Sequence, residues 1–89
     1  MLVEDTPSLA RVYTEYLKKA AFAVTAVETG AAALDVLRDA PPEVVLLDLQ
    51  LPDINGMEIL KYVSGQQIPT AVVIITAHAS VNVAVEAMR

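Results

Sequence analysis

The sequence predicts an α/β fold, a parallel sheet with helices on its faces. Three observations lead there. Short apolar, β-branched runs alternate with stretches of helical periodicity in the order βαβαβαβα. Two of the runs, Val44-Val45-Leu46-Leu47 and Ala71-Val72-Val73-Ile74-Ile75, have no polar face, as expected of parallel strands covered on both sides. The chain has 89 residues, enough for one small domain and no second.

Each element has its own local reason. Met1 to Val3 is a short apolar run that ends in two acids, and reads as the end of a strand. Thr6 and Pro7 fit an N-cap and a first helical position. Leu9, Val12, Tyr13, Tyr16, Leu17 and Ala20 follow at i, i+3, i+4, i+7, i+8 and i+11, one face of a helix. Phe22 to Val27 reads as a second strand. Gly30 to about Arg38 reads as a second helix, with Ala33, Leu34 and Leu37 inward and Pro41-Pro42 as its stop. The run Val44 to Leu47 ends at Asp48. A loop from Leu51 to Asn55 leads into a third helix, Gly56 to about Ser64, with Gly65 as the expected C-cap. The run Ala71 to Ile75 ends at Thr76, and Ser80 is positioned to cap a last helix carrying Val81, Val85 and Met88. Tyr13, Tyr16, Tyr62 and Met57 are expected to pack in or beside the core.

In an open parallel sheet the functional site lies outside the carboxyl ends of the strands. The first strand ends in Glu4-Asp5, the third in Asp48 and the fourth in Thr76-Ala77. Taken singly, each has an ordinary role: Asp5 could help cap a helix, Asp48 could bond into the next loop, and Thr76 could close a turn. Together they make a costly cluster. Two carboxylates ~4 Å apart repel by roughly 4 kcal/mol at an effective dielectric of about 20. A cation between them removes that cost, and an all-oxygen set without His or Cys suits Mg²⁺. The chemistry that follows is phosphoryl transfer to a carboxylate nucleophile, with the Thr76 hydroxyl and the Ala77 N–H available to bind the added group.

Composition narrows the alternatives. Six basic residues against eleven acidic ones give a net charge of -5, which disfavours a nucleic-acid surface. There is no cysteine, so disulfides, thiolate metal sites and cysteine nucleophiles are absent. No apolar run reaches the ~20 residues of a membrane span. Met1 to Asp5 has neither the basic region nor the long apolar run of a signal peptide, so a cytoplasmic location is the expectation. The three glycines stand at 30, 56 and 65, so no Gly-rich loop follows the first strand to hold a dinucleotide.

The pair Glu4-Asp5, the segment Asp48-Leu49-Gln50-Leu51-Pro52-Asp53-Ile54-Asn55-Gly56-Met57 and the pair Thr76-Ala77 resemble, in order and spacing, the receiver domain of two-component response regulators. Val3-Glu4-Asp5-Thr6, Thr76-Ala77-His78 and Val85 to Arg89 look most like receivers of NtrC-like transcriptional activators. The resemblance implies a flavodoxin-like, three-layer fold. It implies that Asp48 is the phosphoacceptor, served by a phosphohistidine on a sensor histidine kinase or histidine phosphotransfer protein. Asp5, Asp48 and the backbone carbonyl of Gln50 would hold Mg²⁺, with Glu4 acting through water. Thr76 would be the switch residue, Pro52 and Gly56 would shape the adjoining loop, and His78 is a candidate modulator of hydrolysis. The domain would act on an output domain, expected to regulate transcription, and not as an enzyme with an external substrate.

The resemblance runs to Arg89, whereas the family continues into a fifth strand and helix. The expectation is therefore a receiver incomplete at its C-terminus, with strand order 2-1-3-4 and without the fifth-strand lysine. The fourth strand would then be an edge, a template for self-association. Two other classes compete. One is an interaction or dimerisation module that takes no phosphate. The other is an aspartyl phosphatase of the haloacid dehalogenase type, which needs a second acid two residues after the nucleophile, where this chain has Gln50.

Overall fold

A computed structural model describes residues 1–75 of the chain. The elements are β1 (Leu2–Val3), α1 (Pro7–Lys19), β2 (Ala26–Val27), α2 (Gly30–Asp39), β3 (Val44–Leu47), α3 (Gly56–Gly65) and β4 (Ala71–Ile74). The strands form one sheet in the order β2-β1-β3-β4, every pairing parallel. The expected order is therefore observed. Val3 stands beside Val27 on one side and Leu47 on the other, and Leu47 beside Ile74. This register brings Glu4 and Asp48 out of the sheet at the same level. The expected last helix and the residues Thr76, Ala77 and His78 lie outside the described residues.

The core sits between the sheet and α2 and α3. Val3, Val45 and Leu47 from the strands meet Ala33 and Leu37 of α2 and Ile59 and Val63 of α3. The alternation of β3 makes this possible: Val45 and Leu47 are buried, Leu46 is half-buried and Val44 is exposed. The expectation that both apolar runs are covered on both faces is thus corrected among the described residues, where Val73 of β4 is 49% exposed. On that side of the sheet, α1 packs at β1. It buries none of its residues, and Leu9, Val12 and Tyr16 of its apolar stripe are exposed. Tyr16, expected near the core, is 69% exposed, whereas Tyr13 and Tyr62 are half-buried. A cavity of about 350 Å³ opens on this side, lined by Leu17, Phe22, Val24, Val44 and Leu46.

The helix ends show where local sequence signals were and were not followed. Thr6 holds the N-cap position and Pro7 the first turn, but the Thr6 hydroxyl makes no capping bond; its N–H donates to Glu4 Oε1 at 3.2 Å instead. The second strand is shorter than the run Phe22 to Val27 suggested. Ala21 takes φ 67, and the Phe22 N–H donates back to the Leu17 carbonyl, so residues 20–22 close α1. Phe22 itself is 59% exposed. The third helix closes in the same way at Gln67 (φ 52), with the Ile68 N–H on the Val63 carbonyl. Gly65, the expected cap, is the last helical residue and has no positive φ.

Candidate functional site

The parallel register sets the site. The Glu4 N–H donates to the Val27 carbonyl and the Asp48 N–H to the Val3 carbonyl, at 3.1 and 3.0 Å. The two strands therefore release Glu4, Asp5 and Asp48 side by side at their carboxyl ends. One carboxylate oxygen from each lies within 4.8 Å of the other two. Glu4 is 2% exposed, and Asp5 and Asp48 are half-buried. Burial, and next to it the neighbouring Asp48 carboxyl, push the Glu4 pKa up, while the Thr6 N–H bond opposes the shift. Three carboxylates of this kind, one of them inside the fold, are a donor set for a hard divalent cation. With no cation they repel, and Glu4 is driven toward its protonated form.

The loop after Asp48 folds back on itself. Asp48 Oδ1 accepts from the Gln50 N–H at 3.0 Å, Gln50 and Asn55 form an antiparallel bridge, and the Gly56 N–H donates to the Leu49 carbonyl at 2.9 Å. Asn55 Oδ1 then caps α3 through the Met57 N–H at 2.9 Å. Gly56 is where the returning chain crosses its own start: a Cβ there would lie 2.6 Å from Leu49 Cα and 2.8 Å from the Asp48 carbonyl oxygen. Pro52 is exposed at the tip of the loop and Gln50 at its base. Of the residues singled out from sequence, the fold brings together Glu4, Asp5, Asp48 and the Gln50–Gly56 loop. The register of β4 on β3 is extended by the Ile75 N–H on the Leu47 carbonyl at 2.9 Å; Thr76, Ala77 and His78 lie outside the described residues.

One residue of the loop has a role that sequence reading missed. The Asp53 carboxylate reaches the start of α2, accepting from the Gly30 N–H on Oδ1 and the Ala31 N–H on Oδ2, both at 2.8 Å. These two amides hold the Asp53 pKa below the ordinary aspartate value. The partners are 23 and 22 residues apart, so no local spacing signals the contact.

Comparison with known proteins agrees with this geometry. The family model described as the response regulator receiver domain matches residues 1–89. The regulatory protein LuxO of Vibrio vulnificus (strain YJ016) is 42% identical over 88 residues, 99% of this chain and 19% of LuxO. The DNA-binding transcriptional regulator NtrC of Klebsiella pneumoniae is 33% identical over 88 residues, again 99% of this chain and 19% of the relative. The chain thus spans about a fifth of the length of these curated relatives. Among solved structures, the signal receiver domain of a LuxO repressor protein from Vibrio parahaemolyticus superposes with a TM-score of 0.93 at 41% identity, covering 98% of this chain and 67% of that one. The flavodoxin-like sheet order, the rim of acids and a family match over the full sequence agree, and the chain belongs to the response regulator receiver domain family of two-component signalling.

Proposed function

We propose that the chain is a phosphoacceptor switch of a two-component phosphorelay. The observation that carries the reading is the convergence of Glu4, Asp5 and Asp48, with an oxygen of each within 4.8 Å of the others. An Asp48 carboxylate oxygen attacks the phosphorus of a phosphohistidine. The new O–P bond forms as the N–P bond breaks, and the imidazole leaves with the bond's electron pair and takes up a proton. Asp5, Asp48 and the Gln50 backbone carbonyl would hold Mg²⁺, with Glu4 acting through water. When bound there, Mg²⁺ supplies positive charge that offsets the acids and the transferred phosphoryl oxygens. Pro52 and Gly56 hold the loop in shape. From the family resemblance, Thr76 is the switch hydroxyl, the Ala77 N–H a phosphate donor and His78 a modulator of hydrolysis.

The donor is a sensor histidine kinase or histidine phosphotransfer protein, and the readout is an output domain that regulates transcription. The setting is cytoplasmic, consistent with the fact that no helix among the described residues is long and apolar enough to cross a membrane. The exposed strand β4 supports self-association. Among the described residues it pairs only with β3, and Val73 is 49% exposed. Sedimentation should show a mass that rises with concentration, and less so in Val73→Lys; a concentration-independent monomer would remove this part of the reading.

The main test is intact mass after incubation with phosphoramidate, with Mg²⁺ or with chelator. A Mg²⁺-dependent phosphate adduct that is lost in Asp48→Asn establishes the switch. No adduct in a folded chain favours an interaction module that takes no phosphate.

A further inference from the structure

We propose that Asp53 is a positioning residue, whose carboxylate clamps the Asp48–Asn55 loop to the first turn of α2 and thereby holds the Gln50 carbonyl and Asp48 in register. The inference rests on the reading of Asp48 as phosphoacceptor. Four observations support it.

First, the contact is two-pronged. Oδ1 accepts from the Gly30 N–H and Oδ2 from the Ala31 N–H, each at 2.8 Å, which fixes the carboxylate in rotation as well as in position. Second, the contact does not duplicate the local cap. Thr29 Oγ1 already accepts from the Ala32 N–H at 3.1 Å, so α2 has its own side-chain cap, and Asp53 takes the two amides that remain. A helix that needed only a cap would be served by Thr29 with water. Third, the loop lies directly on the helix. A Cβ at Gly30 would collide with the Ile54 side chain and stand 3.2 Å from Asp53 Oδ1, so glycine at the first position of α2 permits the docking. Ile54 in turn packs against the core.

Fourth, the clamp sits on the free end of a loop whose other end is the site. Residues 48–50 and 55–56 are tied to each other by the Gln50–Asn55 bridge and by the Gly56 N–H on the Leu49 carbonyl. Those bonds hold the base of the loop to itself. In orienting the loop against the rest of the fold, the Asp53–α2 contact pins its tip. A shift of the tip would be transmitted through this short closed loop to Gln50 and to Asp48, whose Oδ1 accepts the Gln50 N–H.

The test compares the full chain with Asp53→Ala, Asp53→Asn and Thr29→Ala. Two readouts are taken: amide hydrogen exchange at Gln50 and Gly56, and the Mg²⁺ concentration that half-saturates adduct formation with phosphoramidate. The clamp predicts that Asp53→Ala speeds exchange at both amides by ~10-fold and raises the Mg²⁺ half-saturation by about tenfold. Asp53→Asn, which keeps one acceptor oxygen, falls between Ala and the parent. Thr29→Ala, which weakens the same helix without touching the loop, speeds exchange in α2 only. Unchanged Gln50 and Gly56 exchange in Asp53→Ala overturns the proposal. So does an equal change in Thr29→Ala, which would trace the effect to helix stability. A parent chain that takes no phosphate yet shows the expected exchange pattern sinks the phosphoacceptor reading while upholding the hold of Asp53 on the loop.

Discussion

Gly56 lies against the backbone of Leu49: its N–H donates to the Leu49 carbonyl at 2.9 Å, and a Cβ on it would come within 2.6 Å of Leu49 Cα. The obstruction is main chain, so no rotamer change relieves it. The crossing closes the loop that starts at Asp48 and starts α3 at the same residue. Gly56→Ala must spread the loop, and overpacking of this kind costs roughly 1–3 kcal/mol. Urea unfolding should give a lower midpoint with an unchanged slope. A midpoint equal to that of the parent would mean that the loop backbone moves freely, contrary to the bonds that close it.

Glu4 makes stability depend on pH with a definite sign. Its folded pKa is raised, first by burial and then by Asp48, from a reference value of 4.5. The folded state therefore binds the Glu4 proton more tightly than the unfolded state. The associated stability is fully present below about pH 4.5 and is lost as pH rises through the folded pKa. Glu4→Gln keeps an acceptor for the Thr6 N–H and removes this slope, so it should unfold at higher urea than the parent at pH 7 and show a smaller difference at pH 4.5. The charge of Mg²⁺ held beside Glu4 disfavours the Glu4 proton, so its stabilisation of the parent should be larger at pH 7.5 than at pH 5. The reverse order would detach Glu4 from the cation site.

The sequence displayed much of this site because the signals are local. A four-residue apolar run with no polar face places β3, and the first acid after it is Asp48. The same logic places Glu4-Asp5 after β1. The 2-1-3-4 order came from family resemblance, since apolar runs carry no pairing information. What escaped was non-local or competitive. Phe22 to Val27 has strand-like residues, but only Ala26 and Val27 form the strand, because residues 20–22 are used to close α1. Thr6 has the right chemistry for a cap, yet the buried Glu4 is the acceptor that its segment uses. The Asp53 bonds to Gly30 and Ala31 join segments that only the tertiary fold brings together.

Asp48→Asn should have opposite effects with and without cation. Its Oδ1 can still accept the Gln50 N–H, so the loop bond survives. The change removes one of three carboxyl groups whose oxygens lie within 4.8 Å, and with it a negative charge beside Asp5 and Glu4. In chelator the variant should be more stable than the parent, by roughly 1 kcal/mol after solvent screening. With Mg²⁺ in excess the parent gains and the variant gains little, so the order of their thermal midpoints reverses. A parent that is more stable than Asp48→Asn even in chelator would mean that the acids do not repel.

The end of α3 carries a stability reserve of a different origin. Gly65 is helical and has nothing within 4 Å of where a Cβ would stand, while Gln67, two residues on, takes φ 52. The two residue types are thus each in the conformation that suits the other. Glycine in a helix loses about 0.5–1 kcal/mol relative to alanine, through backbone entropy. A residue with a Cβ in the left-handed region costs roughly 1–2 kcal/mol. Gly65→Ala and Gln67→Gly should each stabilise, with the Ile68 N–H still on the Val63 carbonyl. For a domain of this size, 1 kcal/mol moves the thermal midpoint by about 4–8 °C. Gln67→Ala is the control, since it removes the amide side chain and leaves the strained φ. It should leave the midpoint close to the parent's, and a gain equal to that of Gln67→Gly would assign the effect to the side chain and not to the backbone.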